Sequence, residues 1–286
     1  MKLYIYAKSG HNFGLENIRR SSAIYNSLKN LDPIFCSSDY RAATYAKSAM
    51  GVIKGVGIDV IGNLPHIMER ADILIYDDSN ESSSTMKEHM KDYCTQLYKM
   101  GEEIPFDIVD MSYFEKVPTK YEKVIFFADD DYCKWFLSLC QNSIKQDIPF
   151  LLGHYFFLGT EDIYKRYFSD IFEDEEYKDV VRSTKYLLTS SVHTLLESIA
   201  SGKKPVYFKR KDKGLIENIE LIEKYNIPII DSDNLDDLIK AFEKVIQNYP
   251  SIKDIEKFNA NDIFQKIDQV LEKHKHIKSA LEFKEL

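Results

Sequence analysis

Short apolar runs recur along this chain, and longer amphipathic stretches separate them. Examples are ILIY within 72–77, KVIFFA at 123–128, KYLLT at 185–189 and PVYFK at 205–209. A strand with one wet face alternates apolar and polar residues, whereas a strand covered on both faces is apolar nearly throughout. Runs of the second kind, interleaved with amphipathic segments, predict parallel sheets with helices packed on both sides. The fold class expected is therefore α/β.

The order of segments adds detail. Strands are expected at 2–7, 33–38, 56–61 and 72–77, with one more over 106–111. Between them lie a polar, glycine-containing loop at 8–14 and helices at 15–28, 40–50, 65–70 and 84–100. In the first helix Leu15, Ile18, Ser22, Tyr25 and Leu28 share a face at steps of three and four. Residues 112–122, with Pro118 inside, read as a linker, so the domains expected are 1–117 and 118–286. The alternation then restarts. Strands are expected at 123–128, 149–157, 185–189, 205–209 and 227–231. Helices fall at 132–145, 160–168, 193–201, 215–225 and 235–247. A further short helix follows the acidic stretch 173–176, and a charged helical tail runs over 254–280. Each half is Rossmann-like. Open sheets of this kind bind ligands beyond the carboxyl ends of their strands, where the strand order switches. Two in tandem are expected to face each other across a cleft.

Charge and composition narrow the partners. The net charge is −8, which argues against nucleic acid, since phosphate backbones select basic surfaces. Lys209, Arg210, Lys211 and Lys213 form a local basic cluster all the same. The four cysteines include no CxxC pair, so neither a zinc site nor a disulfide framework is expected. Cys133 and Cys140 are spaced as two turns of one helical face, and reduced, buried thiols are the reading. The first apolar run is too short for a signal peptide. No run approaches the roughly 20 residues that span a bilayer. A cytoplasmic protein without a transmembrane segment is expected.

The most informative string is LTSSVHTLLESIASGKKPV, residues 188–206. A strand ends in Thr189, Ser190 and Ser191, and a helix begins at about Val192. Small hydroxyl residues at such a junction admit an anion to the helix's free backbone N–H groups, which its dipole favours. Thr194 adds a hydroxyl in the first turn, His193 sits within reach of a phosphate, and Glu197 lies one turn later at a depth suited to a ribose. The plainer alternative for Ser191 is helix capping.

This string resembles the signature loop and helix in the C-terminal domain of GT-B glycosyltransferases. It is similar to the enzyme that adds N-acetylglucosamine to the peptidoglycan lipid precursor, and to the small UDP-sugar hydrolase of pseudaminic acid synthesis. The resemblance implies that Ser190, Ser191 and Thr194 hold a nucleotide diphosphate and Glu197 the ribose. It continues through Pro205 and a polar segment to Asn218. The glutamine of the family's Gln-x-x-Asn-Ala pattern has no counterpart at 213–216. In the first half the resemblance covers only the loop SGHNFGLENIRR, residues 9–20. There the family carries Gly-His or Gly-x-Gly-His, and the histidine faces the cleft. Two registers are open. Gly10-His11 matches directly, which makes His11 a base; or 14–20 matches, which leaves Asn17 in the histidine's place.

Acidic residues also follow strands: Asp77, Asp78 and Glu81, and then Asp129, Asp130 and Asp131. Such carboxylates can hold Mg²⁺, act as a base, cap helices or remain solvated. The family has a glycine-rich loop where Asp129–Asp131 stand. His154, near a strand end, either lines the cleft or is a satisfied buried histidine.

The leading expectation is a nucleotide-sugar-dependent glycosyltransferase with His11 as base. Gly10, Ser190, Ser191, Thr194, Glu197 and Asn218 would hold the donor, and the acceptor would be a glycan, lipid or protein. No cofactor and no Mg²⁺ are expected, because helix dipole and hydroxyls stabilise the leaving diphosphate. The alternatives are hydrolysis of the same donor and a non-catalytic interaction or assembly module.

Overall fold

The apolar runs are strands, and they hydrogen-bond side by side in parallel. The computed structural model describes residues 1–11, 13–78, 84–156, 159–213 and 218–282. Two compact units emerge. One holds Met1–Ser9, Asn17–Ile108 and Phe258–Leu286; the other holds Gly10–Glu16 and Val109–Lys257.

In the first unit the elements run β1 (Leu3–Ala7), α1 (Glu16–Ser27), β2 (Ile34–Ser37), α2 (Tyr40–Ala49), β3 (Gly55–Gly57), β4 (Asp72–Asp77), α3 (Ser84–Tyr93) and β5 (Cys94–Lys99). The first residue of α1 is counted with the second unit. The sheet order is β3-β2-β1-β4-β5. Register pairs Ala7 with both Ser37 and Asp77, so the order switches between β1 and β4. All five β1 residues are buried. Tyr4, Tyr6, Leu74 and Tyr76 pack with Ile61, Leu64 and Met68 on one face.

In the second unit the elements are β6 (Tyr121–Phe126), α4 (Trp135–Cys140), β7 (Phe150–Leu151), α5 (Glu161–Tyr164), β8 (Ile171–Phe172), α6 (Tyr177–Ser183), β9 (Thr184–Thr189), α7 (Val192–Ala200), β10 (Lys204–Phe208), α8 (Glu220–Lys224), β11 (Ile229–Ile230) and α9 (Leu235–Gln247). A last helix, α10 (Asn261–Glu282), is counted with the first unit. The sheet order is β11-β10-β9-β6-β7-β8, which switches between β6 and β9, where Phe126 pairs with Thr189. Its core is aromatic. Phe136 stacks on Phe127 with ring centroids 4.7 Å apart, and Phe150 stacks on Phe168 at 4.8 Å.

Several expectations change. The units divide at 108/109 rather than 117/118, and 258–286 joins the first unit. Residues 109–117 belong with the second because their contacts lie there: Arg182 pairs with Glu115 at 3.1 Å, and Lys203 Nζ lies 3.4 Å from the Val117 carbonyl. Residues 84–100 are not one helix, because the chain turns into edge strand β5 at Cys94. Leu97 satisfies both a helical and a strand pattern, and pairing with β4 decides. Residues 106–111 form no strand; Asp110 instead caps a short 3-10 turn, Met111–Phe114, by accepting the Ser112 N–H at 3.0 Å. The segment 56–61 is strand only over Gly55–Gly57, and Ile61–His66 is a 3-10 helix. Cys133 lies outside α4 and is exposed, so it shares no buried face with Cys140. The helix expected over 215–225 is seen as α8; Leu215 and Ile216 lie outside the described residues, as do Glu81 and Phe157.

No helix of the described residues is long and apolar enough to cross a membrane.

Candidate ligand site at the strand ends of the second unit

The β9–α7 junction gathers four of the residues singled out in the sequence. Ser191 adopts extended backbone (φ −93°, ψ 116°) and caps α7, its hydroxyl accepting the Thr194 N–H at 3.2 Å. The Thr194 hydroxyl donates to Ser191 Oγ at 2.7 Å. Ser190 is tied into the sheet end: its N–H donates to the Phe127 carbonyl at 2.8 Å and its hydroxyl to the Phe208 carbonyl at 2.6 Å. Glu197 is 2 % exposed. One of its oxygens accepts from the Tyr177 hydroxyl, and the other lies 3.6 Å from His193 Nε2. Tyr177 also lies 2.7 Å from Thr194 Oγ1. Ser191, Thr194 and Glu197 thus form one buried network with Tyr177, on α6. Nothing in the sequence pattern singles out Tyr177, which opens the short helix after the acidic stretch.

With those side chains engaged, the anion-accepting groups of α7 are the backbone N–H groups of its first turn, which have no partner within the helix. One already meets a carboxylate. The His193 N–H donates to Glu16 Oε2 at 3.4 Å.

Glu16 closes the Gly10–Glu16 segment, which is counted with this unit. The segment begins as a tight turn: Phe13 and Gly14 both donate to the Gly10 carbonyl, at 3.0 and 2.8 Å. Gly10 (φ +131°) and Gly14 (φ +71°) adopt backbone that residues with a Cβ rarely take. Leu15 N–H then donates to Asp129 Oδ2 at 2.8 Å. His11 is exposed, its ring centroid 5.1 Å from that of Tyr155 and 6.2 Å from that of Tyr132. Asn17 donates to the Lys8 carbonyl at 3.2 Å, in the first unit.

The three aspartates after β6 do three separate things. Asp129 holds Leu15. Asp131 accepts the Phe136 and Leu137 N–H groups at 3.0 Å each, and the Tyr164 hydroxyl at 3.0 Å. Asp130 lies 3.1 Å from Lys213 Nζ and 3.6 Å from Arg210. Arg210 sits over the Phe127 ring at 4.5 Å and grips Asp212 at 2.8 and 2.5 Å. Burial opposes its charge, but Asp212 and Asp130 outweigh that and hold its pKa above the ordinary value. Asn218, with φ +57°, lies in the turn that leads into α8, and its carbonyl accepts from Leu221 N. A cavity of about 320 Å³ opens elsewhere in this unit, between α4 and α5, lined by Asp131, Leu137, Phe156, Ile163 and Tyr164 among others. Its lining includes none of the α7 residues.

His154 is half-buried, with Nδ1 2.5 Å from Asp174 Oδ2. Burial alone would raise the Asp174 carboxyl, but hydrogen bonding and charge from His154 hold it below its ordinary value of 3.8. A depressed carboxyl adds stability that is present above its unfolded pKa and lost as pH falls through the folded one. The stability difference between the wild type and Asp174→Asn, read by urea unfolding, is therefore expected to shrink from about pH 5 to about pH 2. A difference that stays constant over that range contradicts the assignment.

No family model matches the chain, and no curated protein does. Some solved structures are similar in arrangement. Escherichia coli heptosyltransferase WaaC with ADP-2-deoxy-2-fluoro heptose is 9% identical over 87% of this chain and 100% of its own, with a TM-score of 0.48. The glycosyltransferase SnogD from Streptomyces nogalater is 10% identical over 86% and 95%, with a TM-score of 0.49. The spinosyn forosaminyltransferase SpnP is 7% identical over 94% and 95%, with a TM-score of 0.46. Likeness at this level decides no function.

Proposed function

We propose that this chain is a glycosyltransferase of the GT-B kind that takes a nucleotide-activated sugar, with the donor's diphosphate at the amino end of α7. One observation carries the reading. At the strand-order switch of a six-stranded parallel sheet, a backbone N–H in the first turn of α7 already donates to a carboxylate, that of Glu16. A helix N-terminus that accepts one anion can accept another of better geometry. Ser191 and Thr194 shape that turn, and Ser190 fixes it to the sheet. Glu197 would take the ribose once it leaves Tyr177, with Asn218 near the sugar or base. Gly10 gives the His11 turn its conformation, and His11 is the base for an acceptor hydroxyl. The leaving diphosphate is stabilised by α7, so no metal is required. The acceptor is a glycan, a lipid or a protein. Attack by water in place of the acceptor gives nucleotide-sugar hydrolysis, as in the pseudaminic acid hydrolase that the sequence resembles.

A second reading, a non-catalytic module, is favoured by one observation. Asp130 sits against both Arg210 and Lys213, which neutralises the cations at the strand ends.

Thermal unfolding with UDP-, GDP-, ADP- and CMP-sugars separates the two. The enzyme reading expects one nucleotide series to raise the melting temperature. Ser191→Ala is expected to cost about 1 kcal/mol of capping stability and to abolish that rise. A folded wild type that responds to none of the series supports the module.

A further inference from the structure

Glu16 occupies an odd place for an acidic residue at a helix start. It lies in the first turn of α1, where its own helix would satisfy it, yet its carboxylate accepts the His193 N–H of α7 at 3.4 Å. At that length the bond is a weak one.

A second observation points to the same place. The Tyr207 hydroxyl, on β10 where Tyr207 pairs with Thr189 at the end of β9, is wholly buried and has no hydrogen-bond partner among the described residues. Burial raises its pKa most, and the next contribution is the charge of Glu16, ahead of Arg210 and Asp212. A buried hydroxyl left without an acceptor is costly and rare. Two donors, the His193 amide and the Tyr207 hydroxyl, thus lie within the influence of one carboxylate that bonds only the first. A phosphate group brings three acceptor oxygens and a larger charge, and can engage both.

Resting on the reading above, we propose that Glu16 is a built-in competitor for the anion position at the amino end of α7, and that Tyr207 is the further donor a ligand phosphate gains on displacing it. Glu16 then sets which ligands enter. A phosphate that is doubly charged displaces the carboxylate, and a single carboxylate on a ligand does not. The affinity of the site is lower with Glu16 in place than without it.

Calorimetric titration with inorganic pyrophosphate tests this, at one fixed salt concentration, with thermal unfolding as the check that each protein is folded. Glu16→Gln keeps the side chain's shape and removes its charge. It is expected to bind pyrophosphate about tenfold tighter than the wild type, since the anion then no longer meets a like charge a few ångströms away. Glu16→Ser, also suited to a helix start, carries the same expectation should the glutamine variant unfold. Adding Tyr207→Phe is expected to reverse a large part of the gain. Equal or weaker binding by the charge-removed variants, beside a wild type that binds, overturns the competitor while leaving the proposed function standing. An unchanged affinity on adding Tyr207→Phe overturns the donor. Absence of binding by every folded protein overturns the anion position itself, and both proposals with it.

Discussion

Replacing Gly153 by alanine is expected to lower the melting temperature by roughly 6–12 °C. A Cβ built at Gly153 lies 2.2 Å from the Ala128 carbonyl oxygen and 2.5 Å from both Asp129 Cα and C. All three are backbone, so no side-chain rotation relieves the clash. The β6 loop and the chain after β7 would have to separate, which costs about 3 kcal/mol or more. That contact also holds the Tyr155 N–H on the Asp129 carbonyl at 2.8 Å, so the disturbance spreads to the aspartate that binds Leu15. Gly57→Ala is the control. Its Cβ would meet Tyr40 at 3.8 Å, an ordinary contact, and a change within about 0.5 kcal/mol is expected. Equal melting temperatures for the two variants would mean that the Gly153 approach is looser than it stands here.

The second large effect belongs to Arg20 and Asp77 in the first unit. Their side chains are 2 % and 1 % exposed and meet at 2.8 Å, Nε to Oδ2. Arg20 also donates to Asn17 Oδ1 at 2.7 Å, and its guanidinium lies 4.8 Å from the centre of the Phe106 ring. Arg20→Met removes the cation that meets this buried carboxylate at 2.8 Å, and a loss of about 3–5 kcal/mol is expected in urea unfolding. Removing the carboxylate as well, in Arg20→Met/Asp77→Leu, is expected to recover most of that loss, because replacing both members of a buried pair costs less than breaking it by removing one. A double variant as unstable as the single one would show that the pair's hydrogen bonds, not its charge, carry the stability.

These two sites also mark where the sequence was legible and where it was not. The α/β class was readable because strands covered on both faces leave apolar runs, and β4 and α9 fall at the expected residues. The β9–α7 junction was readable because a strand end, three hydroxyl residues and a helix start are all local features. What those residues touch was not. Glu197 reads as a ribose ligand from its place in the helix and from the family resemblance, and its bond to Tyr177 depends on where α6 packs. Asp129, Asp130 and Asp131 read as one acidic cluster, but Asp131 turns to the start of α4, Asp130 to Lys213 and Arg210, and Asp129 to Leu15, over a hundred positions away. Arg19 and Arg20 are both buried, and Arg20 meets Asp77 at the end of β4, a partner more than fifty positions away. In each case the missing information was a long-range partner.

The central claim is that the amino end of α7 in the second unit holds the phosphates of a nucleotide. Hydrogen–deuterium exchange, with and without the nucleoside diphosphate that most raises the melting temperature, tests it directly. The account predicts slowed exchange at Val192 and His193, whose amides open α7, with the same amides unprotected in Ser191→Ala. Protection confined to the α4–α5 cavity, or no protection with any nucleoside diphosphate, would contradict it.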